Sequence, residues 1–249
     1  GIGSSAESAL GKIGSKMTKV GAGLTIGVTT PIITAGATAV KVGADFEAAL
    51  SKVEAISGAT GDEMISLRDK AIEMGAKTKF SLTESAEAFQ YMAMAEWDTG
   101  QMLEGIEGIM SLAAADGLDL TTTSDIVTDA LTGFGLSAKD SSHFADVLAK
   151  ASSSANTNVS MLGESFKYVA PVAGTLGYSA EDTAVALGLM ANSGIKASQA
   201  GTSLRGALGA MIKPSDKAAA LMKQYNISLS NTDGTMKSLQ DVMLMLRNR

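Results

Sequence analysis

The sequence predicts an all-α fold, a multi-helix domain with an internal two-fold repeat. Hydrophobic residues make up 45% of the 249 residues, whereas aromatic residues contribute only 4%. Met (14 residues) and Gly (27 residues) are abundant. A core of Ala, Leu, Ile and Met is typical of packed helices and not of a β-sandwich. Because the chain has no Cys, its core forms without disulfides.

Residues 1–44 form the first predicted segment, a coiled-coil-like helix followed by an apolar arm. Apolar residues in the helix are spaced four and three apart, which is the spacing of a heptad repeat. This candidate coiled-coil seam consists of Ala6, Leu10, Ile13, Met17 and Val20. We expect the seam to associate with other helices.

Residues 20–40 form an uncharged run of 21 residues between Lys19 and Lys41. This length could cross the hydrocarbon core of a bilayer, which needs about 20 apolar residues. Five Thr, four Gly and Pro31 weaken that interpretation, because they gain little from entering lipid. We expect a segment that packs against protein and has some ability to enter a host membrane. The candidate membrane or helix-packing residues are Leu24, Ile26, Val28, Pro31, Ile32 and Ile33.

Residues 45–225 are predicted to be a succession of helices with recognisable ends. Capping-box spacing occurs in Ser81 with Glu84, Ser137 with Asp140, and Ser179 with Asp182. Four glycines are placed where helices are expected to end in a left-handed turn: Gly75, Gly117, Gly135 and Gly194. The single Trp97 is either a core residue or a contact residue.

An internal repeat relates the two halves of this region. "EAFQYMA" (87–93) aligns with "ESFKYVA" (164–170) at an offset of 77, and the same offset, kept without gaps to Phe134 and Met211, matches 11 of 48 positions. We interpret the repeats, about 77–134 and 156–211, as two copies of a three-helix unit. With two units, a duplicated globular domain is expected and not an open solenoid.

Residues 226–249 are predicted to contain a short hairpin and the start of a further helix. Asp233-Gly234 can form the turn of a β-hairpin between Ile227 and Lys237. This is the one β signal in the sequence.

The charge of the chain is unevenly distributed. Residues 1–44 hold four Lys and one Glu, so a chain total of −6 leaves −9 for residues 45–249. An acidic body argues against nucleic-acid binding, which needs a basic face.

No residue pattern predicts an active site, a metal or a cofactor. His143 is the single histidine, and it lies between Ser141 and Asp146 on one predicted helix, where residues two apart do not face each other. "GAGLTIG" (21–27) lacks the G-x-G-x-x-G spacing and the preceding strand of a dinucleotide site. We therefore expect a protein that is not an enzyme; a cell-wall hydrolase would have only scattered carboxylates in its favour.

Long ungapped strings resemble the conserved domain of phage tail tape measure proteins. They include "DFEAALSKVEAISGATGDEMISLRDKAIEMGAKTKFSLTESAEAFQYMAMAEW", "SSANTNVSMLGESFKYVAPVAGTLGYSAEDTAVALGLMANSGIKASQAGTSLRGAL" and "DGTMKSLQDVM". The likeness extends from about Thr25 to the C-terminus, and the segment "LTIGVTTPI" resembles the stretch that precedes this domain in the family.

The resemblance implies a structural component of a phage or prophage-derived tail. Such proteins lie inside the tail tube, set its length during assembly in the host cytoplasm, and leave when the genome is delivered. The implied partners are further copies of the chain, as a homotrimer, and proteins of the tail tube and the tail tip. The family domain has no catalytic motif. An alternative is that residues 20–40 insert into the host membrane and form or line a delivery channel.

Overall fold

A computed structural model describes the backbone of residues 29–247 and the side chains of residues 41–245 and 247. By their internal contacts, the residues divide into two units, Gly1–Ala48 and Ala49–Arg249. In the first unit, the described residues from Thr29 onward are helical, and this helix continues into the second unit. The predicted domain limits at residues 44 and 225 stay predictions.

The described residues contain eleven α-helices and one short 3-10 helix, which confirms the predicted all-α class. The helices are α1 (Thr29–Ser57), α2 (Asp62–Lys77), α3 (Leu82–Met94), α4 (Thr99–Asp116), α5 (Leu120–Phe134), α6 (Ser141–Ser154), α7 (Val159–Thr175), α8 (Ala180–Asn192), α9 (Ala197–Ile212), α10 (Asp216–Gln224) and α11 (Leu239–Arg247). The 3-10 helix, Ala138–Asp140, precedes α6.

Side-chain caps fix the beginnings of several helices. At α3, Ser81 and Glu84 form a complete capping box, in which the Ser81 N–H donates to Glu84 Oε2 at 2.8 Å. The Ser81 hydroxyl oxygen accepts from the Glu84 N–H at 3.2 Å. Ser179 caps α8 on one side only, by accepting from the Asp182 N–H at 3.1 Å. Each such cap satisfies a backbone N–H group that the helix leaves unpaired.

Glycine ends three helices as predicted, but the prediction for Gly75 was wrong. Gly117 (φ 72°) and Gly135 (φ 69°) end α4 and α5, and Gly194 (φ 87°) follows the end of α8. Gly75 lies inside α2, which continues to Lys77. A Cβ atom at Gly75 would lie 2.7 Å from the side chain of Leu82, so this glycine permits close packing and not a turn.

Nine helices of the second unit form a stack of hairpins in two layers. One layer contains α2, α4, α6, α8 and α11, and the other contains α3, α5, α7 and α9; each helix contacts the next helix of its own layer. The helices of the second layer begin at residues 82, 120, 159 and 197, at intervals of 38 or 39 residues. The predicted offset of 77 therefore spans two hairpins.

The two predicted repeats do not form separate three-helix bundles. Helix α5 of the first repeat packs closely on α7 of the second, at two glycines. A Cβ atom on Gly163 would lie 2.5 Å from Ile126, and one on Gly133 would lie 2.9 Å from Ala170. These contacts join the predicted repeats into one continuous stack. The duplication of the sequence itself stays a prediction.

Aromatic side chains fill the centre of the stack. Phe166 is fully buried and makes edge-to-face contacts with Phe134 and Phe144, with ring centroids 5.6 and 5.5 Å apart. The three rings link α5, α6 and α7. Trp97 is also a core residue, since only 7% of it is exposed.

The predicted C-terminal hairpin is not confirmed as a pair of strands. A single antiparallel bridge joins Ser230 and Met236, and no strand extends from it within the described residues. Gly234 makes the turn with φ 89°. Asp233 supports the turn by accepting from the Thr235 N–H at 2.9 Å. Two backbone hydrogen bonds also cross it, from the Asn231 N–H to the Thr235 oxygen at 2.7 Å and from the Lys237 N–H to the Leu229 oxygen at 2.8 Å.

We expect Gly201→Ala to destabilise the stack while Gly206→Ala, in the same helix, stabilises it. A Cβ atom on Gly201 would lie 2.2 Å from the backbone oxygen of Ser165, whereas one on Gly206 would meet no atom within 4 Å. Overpacking by Gly201→Ala should lower the free energy of unfolding by about 1–3 kcal/mol. Gly206→Ala replaces an exposed helical glycine with a better helix former, so it should raise the free energy of unfolding by about 0.5–1 kcal/mol. Urea unfolding measures both values. Equal effects of the two substitutions would contradict close packing between α7 and α9.

Candidate interaction surface

Ser141 and His143, which are close in sequence, each contact another helix, and no described hydrogen bond joins them to each other. The Ser141 hydroxyl is buried and donates to the backbone oxygen of Gly105 at 3.0 Å, which ties α6 to α4. His143 is exposed, and its Nε2 lies 2.5 Å from Glu181 Oε1. Within the described part of the chain, no group of three or more His, Cys, Asp or Glu side chains is placed to hold a metal ion.

A groove with an almost entirely apolar lining lies between α6 and α8. Its volume is about 540 Å³. Small residues form much of its lining: Ala151 of α6, Ala155 directly after α6, and Ala184 and Gly188 of α8. A Cβ atom on Gly188 would lie 3.2 Å from that of Ala155, so the helices approach closely beneath the groove.

A second groove, of about 570 Å³, lies between α8 and α11. Val185 and Leu189 line both grooves and therefore form a ridge between them. These two side chains are 58% and 50% exposed, which is high for aliphatic residues. We call the ridge and its apolar neighbours the α8 surface, and define it by Val147, Val185, Leu189, Met243 and Leu244.

The ridge follows from the helical periodicity of α8. Val185 and Leu189 are four residues apart and so lie one above the other on a single face of the helix. Leu187 and Ala191 are buried on the face toward the stack. Every residue of α8 after Asp182 is uncharged, so α8 is apolar on its outer face as well.

Charged residues border the α8 surface at one end. Asp146, Glu181 and Asp182 provide three carboxylates around the start of α8, while Lys150 lies one turn beyond Asp146 along α6. A hydrogen bond from its own backbone N–H holds the pKa of Glu181 below its usual value, and the contact with His143 lowers it further. This end of the surface is therefore negatively charged at neutral pH.

The face of α4 that corresponds to the Val185–Leu189 ridge of α8 is covered by a neighbouring helix. At the predicted 77-residue offset, Val185 and Leu189 correspond to Gly108 and Leu112. Leu112 is 1% exposed, and a Cβ atom on Gly108 would lie 2.5 Å from the backbone of Ser141 in α6. Glycine lets α6 pack directly on α4. Since α8 carries Val185 instead, a neighbouring helix cannot approach it in the same way, and a groove remains beside α11.

A more polar pocket, of about 520 Å³, lies between α3, α5 and α7. Burial raises the pKa of Asp129, and this rise is opposed by Lys167, whose Nζ lies 4.0 Å from Asp129 Oδ2. Lys167 also pairs with Glu164, whose Oε1 lies 3.6 Å from its Nζ, so this ammonium group serves as an ion-pair partner. The apolar α8 surface is therefore the stronger candidate for function.

The site residues proposed from sequence are mostly outside the described residues. This applies to the seam (Ala6, Leu10, Ile13, Met17 and Val20) and to Leu24, Ile26 and Val28. Pro31, Ile32 and Ile33 lie near the start of α1, where only the backbone is described. Among the described helices, none has the combination of length and apolar character that a membrane span requires.

Sequence reasoning missed the α8 surface. The signal was "EDTAVALGLMAN", in which apolar residues occur on more than one face of the helix. That pattern alone also fits a helix buried on all sides. Only the packing of α6 and α11 shows that Val185 and Leu189 are left uncovered.

Comparison with known proteins gives one family. Residues 68–249 match the model of the phage-related minor tail protein family. The chain is 40% identical over 236 residues to the tape measure protein of Pneumococcus phage Dp-1, which covers 95% of this chain and 20% of that protein. It is 25% identical over 234 residues to the probable tape measure protein of Escherichia phage P2, covering 93% of this chain and 29% of that protein.

A third similar protein is the probable tape measure protein of Clostridium phage phiCD119, which is 24% identical over 175 residues, or 68% of this chain and 18% of that protein. The chain thus spans less than a third of the length of these curated relatives. No solved structure matches it.

We expect Glu181→Gln to remove a pH-dependent contribution to stability at the α6–α8 contact. The pKa of Glu181 is lowered in the folded chain, so its carboxylate stabilises the fold at pH values above 4.5, which is the pKa of this group in the unfolded chain. This stabilisation is lost as the pH falls through the pKa of the folded chain. The variant should lower the free energy of unfolding at pH 7 by at most about 1 kcal/mol, and the difference should shrink between about pH 5 and pH 3.

Urea unfolding at pH 7 and at pH 3 measures this difference. The matched control is Glu104→Gln, at an exposed position of α4. An equal pH-dependent loss in the control would contradict a specific contribution of the Glu181 carboxylate.

Proposed function

Since the chain belongs to the phage-related minor tail protein family, we propose that it acts as a structural component of a phage or prophage-derived tail. The proposal depends chiefly on its 40% identity, over 95% of its length, to a tape measure protein. We propose a role in tail assembly and length determination, followed by a role in genome delivery. The chain acts by binding other proteins and not by catalysis.

Within a tape measure protein, we propose that the described stack provides contacts rather than length. A straight helix of 38 residues would extend about 57 Å, at 1.5 Å per residue. A hairpin of that size in a stack adds only one helix–helix spacing, about 8–10 Å. We therefore assign the measurement of tail length to extended helical parts of the protein. We assign the attachment to other tail proteins to the stack.

The partners follow from this role. We propose contacts with proteins of the tail tube and the tail tip, in the virion, after assembly in the host cytoplasm. The uncovered α8 surface supports this, because soluble monomers rarely expose a large contiguous apolar patch without an interaction to cover it. The acidic body disfavours nucleic acid as a ligand.

Self-association is proposed to occur through the seam of residues 6–20, with three chains in the assembly. A heptad repeat of apolar residues buries its stripe only against other helices. The described residues provide no support for the membrane interpretation of residues 20–40, which stays a prediction.

Purified tails of the phage that encodes this chain should contain peptides from residues 45–249, and tails that have released their genome should have lost them. The reason is that a tape measure protein occupies the tube through which the genome passes. Mass spectrometry before and after release provides the measurement, with tube peptides as the retained control. Intact tails without these peptides would overturn the proposed function.

The double substitution Leu10→Glu with Ile13→Glu should reduce the number of associated chains threefold, because it places carboxylates in the apolar seam. Light scattering coupled to size exclusion measures the mass. The matched control is Ser8→Glu with Ser15→Glu, at the outermost heptad position, which should leave the mass unchanged. A mass that is insensitive to the seam substitutions would contradict the trimer.

A further inference from the structure

We propose that a basic segment of the chain, residues 196–223, binds the acidic exposed face of the second helix layer on another copy. The proposal rests on the self-association proposed above, and it adds a contact between the stacks of neighbouring copies to the contact at the seam. It does not use the α8 surface, because the basic segment contains α9 and α10 and the acidic face is formed by α3, α5 and α7.

The charge of the chain changes sign along the sequence. Residues 45–182 hold 22 acidic and 8 basic residues, a net charge of −14, whereas residues 183–232 hold one acidic and five basic residues, a net charge of +4. The five basic residues are Lys196, Arg205, Lys213, Lys217 and Lys223. Opposite charges on two regions of one chain give each copy a surface that complements a surface of the next copy.

The stack leaves the side chains of the basic segment uncovered. Arg205, Lys213 and Lys217 are exposed, and none of them forms an ion pair within the described part of the chain. Helix α10 has no buried residue, although Leu221 and Tyr225, at its C-terminal end, are large apolar side chains that are 44% and 45% exposed. The segment therefore presents both cations and apolar side chains to a partner.

Carboxylates form a row across the exposed face of the second layer. Glu87, Asp125 and Glu164 are each the sixth residue of their helix, α3, α5 and α7, and all three are exposed. Because these helices pack side by side, residues at the same position of each helix are neighbours across the layer. Asp129 lies one turn beyond Asp125 and is also exposed. The sixth residue of α9 is Thr202, so the row ends where the basic segment begins.

The stack neutralises this row only in part. The Nζ of Lys167 lies 4.0 Å from Asp129 Oδ2 and 3.6 Å from Glu164 Oε1. Glu87 and Asp125 form no ion pair among the described residues. Four carboxylates and one ammonium group give these five residues a net charge of −3. A cationic helical segment of another chain has the charge that complements them.

The proposed contact joins two different surfaces and is therefore head-to-tail. A contact of this type closes into a ring when a rotation axis relates the copies, as a three-fold axis would in the proposed trimer. The seam would hold the copies at a high effective concentration, so a contact that is weak by itself can still form in the assembly. Nucleic acid is disfavoured as the occupant, because the carboxylate row lies beside the basic segment and the whole chain carries a net charge of −6.

Sedimentation velocity of the full chain with Leu10→Glu and Ile13→Glu tests the proposal, because these substitutions remove the contact at the seam. This variant should be a monomer when dilute and should associate as its concentration rises. The affinity should fall as NaCl is raised from about 0.05 to about 0.5 M, since salt screens the charges. Adding Arg205→Glu with Lys217→Glu should weaken association on the order of tenfold, because like charges then face each other.

Charge reversal of both surfaces provides the sharpest comparison. Glu87→Lys with Asp125→Lys should weaken association as much as the reversal of the basic segment does. A chain that carries both reversals should associate as the seam variant does, because opposite charges face each other again. The matched control is Lys52→Glu with Lys139→Glu, at two exposed positions outside both surfaces, and it should leave the affinity unchanged. Circular dichroism checks that each variant is folded.

A seam variant that stays monomeric at every concentration would overturn the proposal, as would a combined reversal that restores no association. Self-association that persists in the Arg205→Glu, Lys217→Glu variant, while binding to a DNA duplex of about 20 bp or to phosphatidylglycerol vesicles is lost, would assign the segment to a phosphate-bearing partner instead. If the seam forms no trimer, the native chain should itself show the salt-dependent association, so the two proposals fail separately.

Discussion

Close contact between neighbouring helices, made possible by glycine at their crossing points, is the constraint on which the rest of the structure depends. Gly108 lies against the backbone of Ser141, and Gly201 lies against the backbone of Ser165; a Cβ atom would come within 2.5 and 2.2 Å of these neighbours. Such crossings leave no space for a larger residue, so they fix which helices meet and in which register. A core with few aromatic residues is thereby packed densely, because backbone atoms contribute directly to its contacts.

The α8 surface arises at a position where glycine is absent and a neighbouring helix cannot pack directly. Along the layer that contains α2, α4, α6 and α8, Gly108 of α4 allows the next helix to pack directly. Val185 takes the corresponding place on α8, and the apolar ridge that results stays uncovered by α6 and α11. Apolar side chains of the described residues therefore lie both in a closed core and on this accessible surface. A protein that works by assembly requires such a surface, and this one carries charges that can orient a partner.

The charge distribution suits the proposed position in a tail tube. Residues 45–249 carry a net charge of −9, which disfavours binding to the phosphate backbone of a genome that uses the same tube. Ion pairs within the stack are exposed, such as Lys77 with Glu73, and exposed pairs contribute little to stability. Burial of apolar side chains and close helix packing therefore hold the stack together, and salt does not screen either of them as it screens exposed ion pairs.

The sequence by itself determined the fold class, most helix ends and the family. Capping residues such as Ser81 and helix-ending glycines such as Gly117 act through their own backbone neighbours, so a local pattern is sufficient to identify them. Only the tertiary structure decided that Gly75 is a packing residue, that the repeats stack without a boundary, and that Val185 is exposed. The reason is physical: the role of a glycine or valine inside a helix depends on which other helix lies opposite it, and that partner is distant in the chain.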